Sequence, residues 1–482
     1  MLIARNIAHN TLYQTAGRII GTALAFAAVV LMSRYLGTSR FGEFIIILSV
    51  VQFCGVVTDF GIHLITLQDI AKEGADKEKL ISLNFTFRCL INCGIFIFFL
   101  IAVPFFPYSH TIKLGILMMS FSNFFLSLNL ILVTIFQENL NTGRAAISEI
   151  VGRMMNLAGV FVVIWMKMGV LAMVLVSTLA FFLNLAFSVL LSRKFIRLRP
   201  CVDCAYFQKL AGRAWPIALS IIFTLIYFKT DTIILSLFHP PSEVGIYGIP
   251  YRILETLSTL PPLFVLLIMP HLARLYAKRD FKSLGNMVQN SFDTLAAIAA
   301  PFSAGAFMLG KPIIRLVAGE SYDRAIPIFP ILMLATSMIF LSSTFTHAIL
   351  ILEKQKMMLK YYIATALVTF TLYLLFIPRY SLWAASLLTF CSETLILYFS
   401  WMMVRRYAQF RLNISGLVKA VIAALFMSAL LFPFRAFSLF FTLPFGAIVY
   451  LAALFTINPK MRAVAVRIIK TKNPSADECN EH

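Results

Sequence analysis

Charge is scarce in this sequence. Only 13% of its 482 residues are Asp, Glu, Lys or Arg, and 60% are hydrophobic. A soluble domain carries about 25% charged residues, and a soluble core could not hide so much apolar surface. The medium around most of the chain is therefore lipid. Cysteine is also sparse. Cys54, Cys89, Cys93, Cys201, Cys204, Cys391 and Cys479 lie mostly in apolar runs, where a thiol is a small hydrophobe. Cys201 and Cys204 have the C-x-x-C spacing but no second Cys or His pair to complete a metal site. No polar stretch is long enough to house a soluble domain, and no nucleophile lies near a base. These gaps argue against an enzyme, a metal centre and a cofactor.

Two motif matches fail on inspection. Gly305-x4-Gly310-Lys311 resembles a phosphate loop, but Pro312 stands where the magnesium-binding Ser or Thr belongs and no strand precedes it. Asn84-Phe-Thr86 and Asn413-Ile-Ser415 match the glycosylation pattern, one inside an apolar run and one beside a basic loop.

What is abundant is apolar sequence in long runs. A bilayer core about 30 Å thick needs roughly 20 apolar residues per helix. Fourteen runs meet this, at about 12–34, 42–62, 82–103, 113–136, 147–167, 169–192, 214–238, 243–270, 286–309, 325–352, 358–378, 381–404, 415–433 and 437–456. Residues 1–10 are short and polar, so the first run acts as its own anchor rather than as a cleaved signal. The longer connections are 193–213, 271–285 and the tail 457–482.

The net charge of +20 is placed by the loops and not by a nucleic-acid surface. With the N-terminus in the cytoplasm, 26 Lys and Arg fall in inside segments and nine in outside ones. This bias predicts both termini inside the cell membrane. There is also an internal echo. Ser33, Ser39, Gly42 and Phe44 recur as Ser236, Ser242, Gly245 and Tyr247 at one constant offset. A repeat of six spans keeps its orientation and gives parallel halves. The expected fold is all-α and polytopic: a six-helix bundle over 1–192, a basic loop over 193–213, a second six-helix bundle over 214–404, two further helices within 405–456, and a basic tail over 457–482.

Ionisable residues inside apolar runs cost about 2.5–3.5 kcal/mol each to insert, so each needs a polar cavity, a partner or a helix end. The cations are Arg18, Arg88, Arg153, Lys229, Arg252 and Lys419; the anions are Asp59, Glu149, Asp231, Glu255, Asp293 and Glu393. Arg18, Arg88, Arg153, Asp59, Glu149 and Asp293 fall in the cytoplasmic third. Lys229, Asp231, Arg252 and Glu255 fall in the outer half, and Glu393 lies near the middle. A cavity that opens first to one side and then to the other wants polar groups at both depths. The competing reading is local pairing, because Glu149/Arg153 and Arg252/Glu255 have helical i,i+4 and i,i+3 spacing. Lys419 is able to snorkel. Prolines crowd spans seven to ten, as kinked cavity-lining helices would require.

Several motifs point to a family. Ser33-Arg-Tyr-Leu-Gly37-Thr-Ser-Arg-Phe-Gly42, Thr58-Asp59-Phe-Gly61 and Asp69-Ile-Ala resemble the opening of the polysaccharide-biosynthesis flippases. Lys229-Thr-Asp231, Val244-Gly245-Ile-Tyr247 and Tyr251-Arg252-Ile-Leu-Glu255 resemble their seventh and eighth spans. These are the O-antigen flippases of the multidrug/oligosaccharidyl-lipid/polysaccharide exporter superfamily, and the resemblance covers roughly residues 1–410. It implies a protein that moves a polyprenyl-pyrophosphate-linked oligosaccharide from the cytoplasmic to the outer leaflet by rocking two bundles about a cavity. The resemblance makes Arg18 and Arg252 candidate head-group contacts, and Arg88, Arg153 and Lys229 join them as a cationic set. Asp59, Glu149, Asp231, Glu255, Asp293 and Glu393 are the ion-coupling or ion-pair candidates, with a proton or sodium gradient as the energy source and no bound cofactor. The partners implied are the lipid-linked oligosaccharide, membrane lipid and other polysaccharide-assembly proteins, and no nucleic acid. Two relatives in the superfamily compete: a flippase for the peptidoglycan lipid precursor, and a multidrug/cation antiporter with an anion-dominated cavity.

Overall fold

The computed structural model describes residues 2–59, 61–70, 76–139, 141–195, 201–408, 411–434, 437–459 and 462; side chains at 2–15, 56–59, 64, 216, 217 and 220 lie outside that description. The described residues form α1 (Leu2–Asp59), α2 (Ile62–Ile70), α3 (Lys77–Ala102), α4 (His110–Glu138), α5 (Thr142–Trp165), α6 (Val170–Ser192), α7 (Cys204–Phe238), α8 (Pro241–Ser258), α9 (Leu260–Ala277), α10 (Phe281–Ala318), α11 (Phe329–Ile351), α12 (Gln355–Tyr407), α13 (Ser415–Leu431) and α14 (Leu439–Ile457). Short 3-10 turns occupy Val103–Phe105, Glu320–Ala325 and Phe432–Phe434. The fold is all-α and spans a membrane: 12 helical stretches among the described residues are long and apolar enough to cross one.

Two of those helices each carry two of the apolar runs. α1 has 58 residues, and as a straight rod it would measure about 87 Å, nearly three bilayer cores. It is broken at Gly37, with φ 69 and ψ 178, a left-handed backbone that a residue without Cβ adopts at no steric cost. The run 12–34 and the part of the run 42–62 up to Asp59 are its two arms. α12 has 53 residues and is broken at Ser381, with φ 46 and ψ −123. Ser381 has a Cβ, so this corner holds strain. Its hydroxyl donates to Glu243 Oε2 at 2.7 Å in the first turn of α8.

Polar connections are shorter than hydropathy suggests. α7 begins at Cys204, inside the basic stretch 193–213, because Asp203 Oδ1 caps it by accepting from the Tyr206 amide at 3.0 Å. α9 and α10 leave only 278–280 of the stretch 271–285 outside a helix, and Asp280 Oδ1 caps α10 through the Ser283 amide at 3.0 Å. Hydropathy marks where the bilayer is; a capped helix continues past it into water. Proline does the opposite. Pro261 falls in the first turn of α9, where a missing N–H costs nothing, and the α8 helix ends just before it.

The chain forms two compact units. The first holds the described residues of Met1–Arg252, Val317–Tyr322 and Tyr362–Leu388; the second holds those of Ile253–Leu316, Asp323–Tyr361 and Thr389–His482. In the first, α1 packs on α4, α5 and α7, and α6 packs on α4 and α5. Its core includes Leu128, Ile131, Leu132, Ile135 and Phe136 of α4, a stripe at helical spacing, against Ile81 of α3 and Leu185 of α6. In the second, small residues of α13 (Ala420, Ala423, Ala424) meet Tyr450 and Ala453 of α14 and Ala297 of α10. Tyr450 donates its hydroxyl to the Ala297 carbonyl at 2.6 Å.

The internal echo of the sequence meets itself in space. A Cβ on Gly42 would lie 1.7 Å from the Pro241 carbonyl oxygen, and a Cβ on Gly245 would lie 2.0 Å from the Thr38 carbonyl oxygen. Both pairs, 42 with 245 and 38 with 241, are separated by the same 203 positions. The corner after α1's first arm and the corner between α7 and α8 thus exchange matching contacts.

Candidate binding cavity

The cavity starts from a close helix approach. Gly17 and Gly21, four apart on α1, face α5; a Cβ on Gly17 would lie 2.6 Å from Ala146 Cβ, and one on Gly21 would lie 3.6 Å from Glu149 Oε1. Small residues at such spacing let two backbones come together within a membrane. This sets Arg18 beside Glu149 and Arg153 on the wall of a cavity of about 290 Å³, which α1, α2, α4, α5 and α6 enclose. Arg18 is exposed at it. Arg153 Nη2 lies 3.8 Å from Glu149 Oε1, with the side chains 38% and 41% exposed. At that length and exposure the pair is loose and both groups stay open to a ligand. Two guanidinium groups against one carboxylate leave the cavity receptive to an anion.

The remaining polar wall is amide. Asn129 and Gln137 on α4, Asn156 on α5 and Asn184 on α6 line the same space. Asn184 Nδ2 donates to the Ser148 carbonyl at 2.7 Å. His63 Nδ1 and Thr134 Oγ1 are 2.8 Å apart. Oδ1 of Asn129, Oδ1 of Asn156 and Oε1 of Gln137 are buried and accept no hydrogen bond from the described residues. The groups are layered. Glu149, Arg153 and Asn156 follow one stripe of α5 at i, i+4 and i+7, so Asn156 lies about 10 Å further along the helix than Glu149.

The cations and acids read from the sequence thus divide among several places. Arg18, Arg153 and Glu149 come together. Arg88 does not line this cavity; it is fully buried, and its Nη1 donates to the Ser127 carbonyl at 2.7 Å and to Ser127 Oγ at 3.3 Å, tying α3 to α4. Lys229 and Asp231 form a second polar cluster. Lys229 Nζ donates to Gln52 Oε1 at 3.2 Å and lies 5.4 Å from the Tyr251 ring centroid, a cation–π distance. Asp231 is fully buried; its Oδ2 accepts from the Tyr247 hydroxyl at 2.5 Å and its Oδ1 from the Thr232 amide at 2.6 Å. Arg252 and Glu255 sit half-buried along α8. Asp293 Oδ1 accepts from Gln289 Nε2 at 2.9 Å and packs on Gly416 in the first turn of α13, where the helix dipole favours an anion. Glu393 is 4% exposed. The side chain of Asp59 lies outside the described residues.

Two features had no ionic signal in a single apolar run. The amides of the cavity are uncharged, yet their spacing on α4 and α5 matches the helix period. Arg213 Nη1 donates to Asp69 Oδ2 at 2.7 Å; the two stand 144 positions apart, and each reads alone as a loop charge.

The comparison that decides the family is with the polysaccharide biosynthesis proteins, whose family description matches residues 7–275, the cavity included. The chain belongs to the polysaccharide biosynthesis protein family. The description MatE matches residues 216–375. A search of curated protein sequences finds no match. Among solved structures the fold is similar to a lipid II flippase, MurJ, in an inward closed conformation, with TM-score 0.77 and 15% identity, covering 94% of this chain and 100% of that one. It is similar to an inward-facing multidrug resistance MATE family transporter of the MOP superfamily, with TM-score 0.68 and 11% identity over 83% of this chain and 98% of the other. The eukaryotic MATE transporter AtDTX14 gives 0.58 and 13%, over 87% and 99%. At these identities the likeness is one of fold. This polysaccharide biosynthesis protein therefore has the flippase and transporter fold of the exporter superfamily that its motifs implied, and it is a multi-pass membrane protein.

Proposed function

We propose that the protein translocates a polyprenyl-pyrophosphate-linked oligosaccharide, an O-antigen or other surface-polysaccharide repeat unit, from the cytoplasmic to the outer leaflet of the cell membrane by alternating access. The observation that carries this is the cavity that gathers Arg18 and Arg153 around a single carboxylate, with amides behind them. A lipid-linked glycan presents two chemistries that hydrocarbon rejects. Each unpaired hydroxyl costs about 4–8 kcal/mol to take into an alkane-like medium, and a diphosphate costs more. Guanidinium groups meet phosphate oxygens in paired, charge-assisted hydrogen bonds, and amides replace the water around hydroxyls. The prenyl chain stays in the bilayer throughout.

Deleting the gene and identifying the lipid-linked glycan left on the cytoplasmic face tests this directly. Accumulation of a diphosphate-linked oligosaccharide, reversed by the intact gene and not by Arg18→Ala, is the expected result. Normal surface glycan in the deletion strain overturns it. A second reading, a flippase for the peptidoglycan lipid precursor, has support in the fold likeness to the lipid II flippase. The same experiment separates the two, because that reading leaves a precursor carrying a peptide. Ion coupling belongs to the same proposal, with Glu393 as its first candidate: it is buried and has no ion-pair partner among the described residues. Loss of gradient-dependent transport in Glu393→Gln, with protein levels kept, is the expected outcome; unchanged dependence removes it.

A further inference from the structure

His63 stands just past the second apolar run and borders the same cavity as Arg18, Glu149 and Arg153. Its place is fixed by its neighbours on α2. The chain turns at Gly61, with φ 73, and α2 begins at Ile62. Ile62 and Ile65 are buried against Leu210 and Ala214 of α7, and Asp69 at the far end of α2 is held by Arg213. His63 points instead toward α4, where its Nδ1 lies 2.8 Å from Thr134 Oγ1. The imidazole is half-buried, so part of the ring faces the cavity.

The wall suits a charged imidazole. A protonated histidine donates from both ring nitrogens. Nδ1–H meets Thr134 Oγ1, and the threonine's own proton has a second acceptor, the Leu130 carbonyl at 3.1 Å. Nδ1–H is therefore satisfied when the ring takes its second proton, which goes to Nε2. Among the described residues, the ionisable groups on this wall are Arg18 from α1, His63 from α2, and Glu149 and Arg153 from α5; α4 and α6 bring none. On the elements packed against α2, Arg88 of α3 is engaged with Ser127, Glu138 of α4 with Lys77, and Arg213 of α7 with Asp69. The side chain of Asp59 lies outside the described residues. Two guanidinium groups against one carboxylate leave the wall one net positive charge. A diphosphate joined to a lipid at one end and a glycan at the other carries a negative charge on each phosphate. A proton on His63 closes the difference.

We infer that His63 is a substrate contact that grips the diphosphate as an imidazolium, so that one proton binds and leaves with the head group. This rests on the proposed function and deepens it. Arginine stays charged throughout the working range, so Arg18 and Arg153 hold the phosphates at any pH. Histidine is the side chain whose ordinary charge change falls between about pH 5 and 8, so His63 makes that hold depend on pH. As the diphosphate enters, Nε2 takes a proton from solution; as it leaves, the proton returns. Only that N–H bond forms and breaks. Linkage makes the effect reciprocal: the anion raises the ring's affinity for a proton by the factor by which the proton raises affinity for the anion.

The test uses the full-length protein in lipid nanodiscs and one probe, a polyprenyl diphosphate joined to one N-acetylhexosamine. Capped at both ends, its phosphates keep their charge across the test, so a change of affinity belongs to the protein. Binding is measured at about pH 5.5 and about pH 8.5, on either side of the histidine range. The wild type is expected to bind at least tenfold more tightly at the lower pH. His63→Gln should bring that ratio to within about twofold of one, near the wild type's affinity at the higher pH. Arg18→Ala should weaken binding at both and keep the ratio. Calorimetry in buffers of different ionisation enthalpy should show proton uptake on binding near neutral pH in the wild type and none in His63→Gln. Thermal melting reports folding. Thr134→Val is a second variant: it takes away the acceptor of Nδ1–H, disfavours the imidazolium, and should move the midpoint of the pH profile to lower pH. A wild-type ratio within twofold of one, a full ratio kept in His63→Gln, or an unmoved midpoint in Thr134→Val overturns the role of His63 and leaves the flippase reading intact. Failure of the wild type to bind at either pH overturns both.

Discussion

Arg213 donates to Asp69 across 2.7 Å and fastens the end of α2 to the first turns of α7. The two ends of the bond differ: the Asp69 side chain is 8% exposed and that of Arg213 is 37%. Removing the arginine takes a cation away from a buried carboxylate, whereas removing the aspartate leaves a cation with access to water. Arg213→Met is therefore expected to cost about 1–2 kcal/mol, less than a fully buried pair would because of screening at the arginine. Asp69→Asn is expected to cost less. Thermal melting of the two variants in detergent checks the order, and the reverse order refutes the asymmetry.

At Gly42 and Gly245, any side chain collides with the backbone. An added methyl would lie 1.7 Å from one carbonyl oxygen and 2.0 Å from the other, and neither acceptor can swing aside as a side chain would. Gly42→Ala and Gly245→Ala are each expected to destabilise by at least the 1–3 kcal/mol typical of overpacking. Both pry open one contact, so the double variant should cost clearly less than the sum of the singles. Additive losses would show that the two contacts are independent.

Ser381 sets strain against a bond. Its backbone lies at φ 46, and its hydroxyl holds Glu243. Ser381→Ala keeps the strain and loses the bond, for an expected loss of about 1–2 kcal/mol. Ser381→Gly loses the bond and relieves a strain of about 1–3 kcal/mol, so it should melt near or above the wild type. An alanine variant as stable as the glycine variant would contradict this.

The turn at Glu320–Ala325 carries a pH signature. Arg315 donates to both carboxylate oxygens of Asp323, at 2.9 Å and 2.5 Å, and this bonding holds the Asp323 carboxyl below its ordinary value of 3.8. A depressed folded value means the stabilisation is full above the unfolded value and fades as pH falls through the folded one. Hydrogen exchange of residues 319–326 should be steady above about pH 4 and speed up below it. In Arg315→Gln the acid-dependent step should vanish. Persistence of the step would assign it to another group.

The sequence displayed most of the helices, because twenty apolar residues in a row have one use in a chain of this kind. It did not display that 12–34 and 42–59 are arms of one bent helix, since a corner at Gly37 and a loop look alike in hydropathy. The cavity was half legible. Arg18, Glu149 and Arg153 stand out because ionisable groups are costly in lipid. Asn129, Gln137 and Asn156 carry no charge and pass as tolerated polar residues until α4 and α5 are seen side by side. The Asp69–Arg213 bond was illegible for a different reason: sequence distance hides a partner that folding brings within one hydrogen bond.

The matched contacts of Gly42 with Pro241 and of Gly245 with Thr38 have the form of an isologous interface, in which each side gives what it receives. Two identical half-length chains meeting about a twofold axis would make this contact twice over. The present chain makes it within itself, between corners that read Thr-Ser-Arg-Phe-Gly42 and Pro-Ser-Glu-Val-Gly245. Only the glycines and one serine per corner match in identity there, and the glycines stand where this self-matching contact could least tolerate a side chain.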